Sequence, residues 1–337
     1  MSRFRTAAAT LVLALATLPT LLLAQATPTP PSPRLGVFFW HDSPNDLATF
    51  DGIQRGLALA GLQPEYVIER AGGDANAATA ALRKLRSAGC ELHLALGTEA
   101  ALRAHRQLPD QTVVFAAVSD PVATGIVRSW DGSGHARLCG ASNAIEPANV
   151  LAAFRLAMPE LRRLGVLRST TTGIVSQAEV AAMRQYLLTA KTPPLELVEA
   201  IVADAGGLGA AAADLLQRDV QAIWIPIDLV VYQQVPAIQQ ALGERRLPLL
   251  TTAASAMAQG AIAGAVPDYA LHGRRTAALV LRVLRGAAAG EQPIDRMRSH
   301  RLVVNLEAAR RNRIELPLSL LALADELLEP DQPNATR

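Results

Sequence analysis

The stretch that most restricts what this chain can fold into is VVFAAVSDPVATGIV, residues 113–127. Its first six residues are apolar with no polar alternation, the pattern of a strand buried on both faces of a parallel sheet. A hydroxyl, a carboxylate and a proline follow at once. Pro121 has no N–H with which to continue a ladder, so Ser119 and Asp120 fall at the carboxyl end of a central strand. In open α/β sheets, that edge is where ligands bind.

The flanking sequence alternates strand and helix in the same manner. Strands are expected over residues 35–39, 66–69, 92–96, 113–118 and 138–142. Helices are expected over about 45–60, from an Asp74 cap to Ser87, and briefly after Gly97-Thr98. A helix over 147–158 restarts the pattern. Strands over 164–167, 196–201, 222–225 and 247–250 then alternate with helices over 175–189, 204–217 and 229–242. A strand (261–266), a helix (269–285) and a last strand (302–304) close the chain. Such alternation implies a mostly parallel sheet covered on both faces. It occurs twice, so the fold class is α/β, with two doubly wound lobes and a cleft between the carboxyl ends of their sheets. The restart near Asn143 marks the first boundary, and the late elements cross between lobes.

A length of 337 residues also exceeds what one core usually serves, which favours two domains. The first 26 residues read as a secretory signal peptide. Arg3 and Arg5 precede an apolar stretch, and Ala24-Gln25-Ala26 forms a small-residue cleavage site before Thr27. No cysteine stands near the cut, so no lipid anchor is expected there. TPTPPSP, residues 27–33, is an extended spacer. The formal charge is +2, and the leader carries two arginines and no acid, so the mature chain is neutral (2 − 2 = 0). Without a basic stripe, nucleic acid is not an expected partner. No later run is long and apolar enough to span a bilayer, so a soluble protein outside the cytoplasm is expected. Cys90 and Cys139 admit one disulfide in an oxidising compartment, but spacing cannot show whether the sulfurs meet. No metal-type Cys/His spacing is present, and no metal or cofactor is expected.

Several strands end in residues suited to a ligand. The candidates are Trp40, Asp42 and Ser43 after the first strand, and Thr98 after the third. Ser119 and Asp120 follow the fourth, and Asn143 the fifth. Thr171 and Thr172 follow the first strand of the second lobe, Asp228 lies beyond the 222–225 strand, and Asp268 precedes the 269–285 helix. Helix N-termini pointed at the same space suit a carboxylate, and Asp120 or Asp228 suits a ligand ammonium or amide. The same residue types also serve as N-caps. Trp40 suits stacking or covering the sheet rim, and His93 reads as an interior histidine. No G-x-S-x-G elbow, H-E-x-x-H or P-loop is present, so no catalytic constellation is visible.

The SDP segment, DYALHGRRT (residues 268–276), LVVNLEAA (302–309) and LPLSLLALAD (316–325) resemble the substrate-binding proteins of ABC transporters, in the group that includes tryptophan and tyrosine binders. The resemblance covers about residues 34–329. It implies the type I periplasmic binding protein fold: two Rossmann-like lobes joined by hinge crossings and closing on a small molecule. On that fold the first lobe takes residues 34–143 and about 268–291. The second takes 144–267 and about 292–330, and 331–337 form a tail. The resemblance further implies a monomeric periplasmic protein without enzymatic activity that serves an ABC permease in the inner membrane. Ser119 and Asp120 match the family's Thr-Asp pair. Thr98, Asn143, Asp228 and Asp268 match further family positions. The chain departs from the family at RSTTTGI (168–174), at Ile227 and Leu229, and at TTAA (251–254). These departures imply a less polar ligand held by the first lobe, Asp228, Ile227 and Leu229. A sensory binding protein, a ligand-free protein-contact module and an exported enzyme are the competing readings. The last needs a catalytic pair within hydrogen-bond reach.

Overall fold

Strands that read as continuous apolar runs lie at the centres of two sheets. The computed structural model describes residues 32–170, 173–245, 247–297 and 300–329. The first half comprises β1 (Arg34–Phe39), α1 (Pro44–Leu59), β2 (Glu65–Arg70), α2 (Ala75–Ser87), β3 (Leu92–Leu96), α3 (Thr98–Gln107), β4 (Val113–Val118) and β5 (Leu138–Ser142). The second comprises α4 (Pro147–Ala157), β6 (Arg163–Ser169), α5 (Ile174–Thr189), β7 (Glu196–Val202), α6 (Leu208–Gln217), β8 (Ala222–Ile225), α7 (Leu229–Tyr232), α8 (Val235–Leu242), β9 (Leu249–Thr251), α9 (Ala254–Gln259) and β10 (Ala263–Pro267). α10 (Tyr269–Leu284), β11 (Asp295–Arg296), β12 (His300–Asn305), α11 (Leu306–Arg311), α12 (Leu318–Leu323) and β13 (Glu326–Leu328) follow.

The sheet orders are β2-β1-β3-β4-β5-β11 and β7-β6-β8-β9-β10-β12-β13. All pairings in the first are parallel. In the second, β12 runs antiparallel to β10. Both sheets thus contain a 2-1-3-4-5 order that reverses once, between β1 and β3 and between β6 and β8. Those switch points are where a doubly wound sheet opens a crevice at its carboxyl edge. Side chains alternate across each sheet as the strand period demands. Phe38 enters one core while Val37 and Phe39 enter another. Ile223 and Ile225 face opposite to Trp224. The edge strands β2 (EYVIER) and β7 (ELVEAIV) carry charges, which discourage pairing with another chain.

Some element bounds differ from the expected ones. The anticipated 229–242 helix is two helices, because Pro236 lacks an N–H and its ring would strike the carbonyl four residues back, at Tyr232. The break leaves Tyr232 at the end of a single turn. β9 begins after Pro248 rather than at Leu247, since proline cannot donate to the ladder. β11 pairs with β5, so the chain returns to the second sheet after residue 296, not at about 292. Cys90 and Cys139 are both free thiols. Cys139 lies buried within β5, where desolvation pushes its thiol up to about 12. No described helix is long and apolar enough to cross a membrane.

α10 leaves β10 of the second sheet yet packs on the first. It lies against α1 through glycines. A Cβ at Gly273 would stand 2.0 Å from the Thr49 carbonyl oxygen, and one at Gly52 2.2 Å from that of Ala270. The two backbones therefore meet without intervening side chains.

Candidate ligand cleft

A cavity of about 670 Å³ opens between the sheets at the first switch point. Trp40, Ser43, Asp46, Gly97 and Thr98 line it from one side, and Leu229, Tyr232 and Gln259 from the other. A second cavity of about 200 Å³ lies toward β4 and β5. Ser119, Asp120, Trp130 and Arg296 line it from the first sheet, and Ile145, Glu179, Met183 and Trp224 from the other half.

Ser43 caps α1, accepting from the Asp46 N–H at 3.1 Å and donating its hydroxyl to Asp46 Oδ2 at 2.7 Å. Gly97, at φ +91°, leaves room for the Asp46 carboxylate, which would stand 3.2 Å from a Cβ there. Burial pushes the Asp46 carboxyl up to about 6 against the opposing pull of Ser43. Across the cleft, Glu179 projects from α5 and accepts from the Ile227 N–H at 2.7 Å. Its carboxyl is enclosed, and that burial raises it to about 7 against the Ile227 N–H and the Thr252 hydroxyl; nearby Asp228 adds to the rise.

Tyr269, the first residue of α10, lies near both acids. Burial raises its phenol above the usual range, with contributions from Asp46, Tyr232 and Glu179. Its oxygen accepts from Asn143 Nδ2 at 3.3 Å. Asn143 is 2 % exposed, and its Oδ1 has no hydrogen-bond partner among the described residues.

Ser119 and Asp120 reach the cleft edge through an irregularity in β4. The register shifts between Phe115 and Val118, and Ala117 takes φ +57°, left-handed for a residue with a Cβ. Its N–H donates to Nε2 of the buried His272 on α10 at 3.0 Å. Burial lowers His272 to about 4, so the ring is a neutral acceptor at neutral pH. Bulges of this kind re-aim side chains beside sites.

The residues expected from the sequence divide by what they touch. Trp40, Ser43, Thr98, Ser119 and Asp120 line the cavities, and Asn143 lies beside Tyr269. Asp120 also closes its own turn, accepting from the Val122 and Ala123 N–H groups at 3.0 and 2.8 Å. The Arg103 guanidinium stacks on Trp40, 4.1 Å from the ring centre. Asp42 is exposed and pairs with Arg70 at 2.8 Å. Asp268 caps α10 by accepting from the Leu271 N–H. Asp228, 1 % exposed, accepts from Ser169 N, Ser169 Oγ and Ser176 Oγ. It thereby ties the end of β6 to the first turn of α5. Thr171 and Thr172 lie outside the described residues. Leu229 lines the cleft as expected, whereas Ile227 packs into the core and offers its N–H to Glu179.

Sequence reasoning missed Asp46, Glu179, Tyr232 and Tyr269. A signal existed for two of them. Asp46 stands three residues after the Ser43 cap. Glu179 shares the stripe Val175-Ala178-Ala182-Met183, so it is an acid on an otherwise apolar helix face.

Two largely parallel sheets that share a 2-1-3-4-5 strand order, with cavities lined from both at their carboxyl ends, define a two-lobed ligand-binding fold. The family pattern described as ABC transporter substrate binding protein matches residues 35–328, and the chain belongs to that family. A tyrosine-binding protein of Clostridioides difficile is 23% identical over 215 residues, spanning 64% of this chain and 61% of that relative. An ABC domain in complex with L-Trp from Streptococcus pneumonia superposes with a TM-score of 0.73 at 22% identity, covering 88% of this chain and all of that one. A ligand-free, open substrate-binding protein with adhesive properties from Clostridium difficile gives 0.76 at 20% identity, with 88% and 100% covered. These likenesses establish the type I periplasmic binding protein fold. The family is one of binding proteins, not enzymes.

Proposed function

We propose that this chain is the periplasmic solute receptor of an ABC importer, capturing an amino-acid-like organic molecule between two lobes. The observation that carries this reading is the cleft, whose polar and aromatic lining comes from both halves of the chain. A ligand touching both sides stabilises their approach, and the closed form docks on an inner-membrane permease. The lobes are the two sheets with their helices, and the hinges are the crossings after β5, β10 and β11. The L-Trp-bound and tyrosine-binding relatives support an aromatic or amino-acid ligand. The leader read in the sequence supports export, with a mature chain beginning at Thr27. The protein delivers its ligand chemically unchanged.

The test is thermal unfolding of the mature protein, stripped of carried-over ligand, against amino acids, short peptides, nucleosides and small aromatic acids. A ligand at 100 times its Kd adds about 2.7 kcal/mol to stability. A clear melting shift, with the compound recovered intact by mass spectrometry, is expected from an amino acid or a close analogue. A shift confined to nucleosides, or conversion of the compound, would overturn the reading. Intact-mass analysis of periplasmic material checks the Thr27 start.

A further inference from the structure

A further cavity, of about 280 Å³, lies at the other end of the first sheet from the cleft. It opens at the starts of β4 and β5, where Gln111, Val113 and Leu138 line it with His105, His135 and Arg137. Two of the chain's six histidines thus share one cavity. His105 comes from the last turn of α3, and His135 from the segment leading into β5. Their ring centres stand 4.3 Å apart, with the planes tilted by 57°. They are distant in the chain, so no ligand spacing announced them.

Both rings are carried on fixed backbone and both residues are half-buried. His105 lies within a helix. At His135, the hydroxyl of the buried Ser133 accepts from the His135 N–H at 3.1 Å and donates to the His135 carbonyl at 2.9 Å.

Two imidazoles in this relation suit one metal ion. With metal–nitrogen bonds of about 2.0–2.1 Å, rings bound at a right angle have their centres about 4.5 Å apart. The lining decides which ion. Among the described residues no carboxylate lines the cavity, and Arg137 on its wall and Arg106 beside His105 repel cations. Ca²⁺ and Mg²⁺, which need oxygen ligands, find none there. Imidazole nitrogen instead suits the later first-row metals, whose bonds to it do not depend on a negative site. No group of three or more His, Cys, Asp or Glu among the described residues is placed to hold a metal, so water fills the remaining positions.

We propose that His105 and His135 form a binding site for a divalent transition-metal ion such as Ni²⁺, Cu²⁺ or Zn²⁺, with water completing its coordination. The site stands at the opposite end of the strands from the cleft, so it goes beyond the solute-receptor reading and does not depend on it.

The test is calorimetric titration of the tag-free mature protein, stripped with a chelator, with NiCl₂ and ZnCl₂ alone at pH 7.5, where an ordinary imidazole is neutral. At least one of the two metals is expected to bind at one ion per chain, and CaCl₂ and MgCl₂ to show no binding. His105→Gln and His135→Gln should each weaken that binding at least 10-fold. His300→Gln, on β12 of the second sheet, and Cys90→Ser, at a half-buried free thiol, should leave it unchanged. Melting curves establish that each variant is folded, and saturating metal should raise the midpoint of the wild type but not of the two histidine variants. In the wild type itself, bound metal should shield both rings from diethyl pyrocarbonate, read by peptide mass spectrometry. No binding of either metal up to about 1 mM, equal binding of Ca²⁺, a folded histidine variant that binds as wild type does, a matching loss in a control variant, or rings modified as fast with metal as without would overturn the proposal.

Discussion

Glu179 is held where its charge costs the apo protein stability. Its carboxyl titrates near 7 in the fold against about 4.3 in an unfolded chain. The folded state therefore binds the extra proton between those values. The protonated group's contribution is fully present below about 4.3 and is lost as pH rises through 7. Glu179→Gln should accordingly be more stable than wild type at pH 8, by up to about 3 kcal/mol, with the difference vanishing near pH 4. Urea titrations of both proteins across pH check this. A gain in apo stability joined to a loss of ligand affinity would mark Glu179 as a residue kept for binding.

His272 works in the opposite direction. Its folded value of about 4 lies below the ordinary 6.5 because burial opposes the charged ring. Stability from the neutral ring is complete above 6.5 and falls as pH drops toward 4, by about 3 kcal/mol in all. His272→Ala should remove that slope. It should also strand the Ala117 N–H at about 1–3 kcal/mol and loosen the turn presenting Ser119 and Asp120. His272→Gln, which keeps an acceptor, should retain most of the stability at neutral pH. The measurement is the unfolding midpoint at pH 7.5 and pH 5 for all three proteins.

At the scale of elements, α10 joins the parts of the site. It begins at Asp268 beyond a strand of the second sheet, and its first residue, Tyr269, accepts from Asn143 at the end of β5. One turn on, His272 supports the β4 irregularity, and Gly273 then meets α1, the helix that bears Asp46. The glycine contacts fix this geometry by backbone approach. Gly273→Ala puts a methyl group 2.0 Å from the Thr49 carbonyl oxygen, which the helices can relieve only by separating. A loss of about 1–3 kcal/mol or more is expected, read as a lower urea midpoint. Ligand affinity should fall with it, because Tyr269 and Asp46 ride on the two displaced helices.

Across the whole molecule, the two sheets are joined by crossings beside the cleft, so a ligand held by both sides favours a closed arrangement. Small-angle scattering of the mature protein should show a monomer whose radius of gyration falls on adding a saturating ligand found in the melting screen. An unchanged radius with saturated binding would count against hinge closure.

Much of this was legible from the chain. Apolar runs such as 92–96 and 113–118, and the polar residues that end them, are local patterns, and they placed the strands and the carboxyl edge where the cavities open. The strand–helix alternation established the doubly wound class, because each period reports which faces are buried. Tertiary structure alone decided which polar residues at that edge line the cavities. Capping a helix, bracing a turn and meeting a solute call on the same side chains. Asp228 and Asp268 are taken up by turn and cap donors, while Asp46 and Glu179, each also accepting a neighbour's hydrogen bond, line the cavities from helices distant in sequence. A buried carboxylate's partners depend on which elements the fold lays beside it, and no local pattern carries that information.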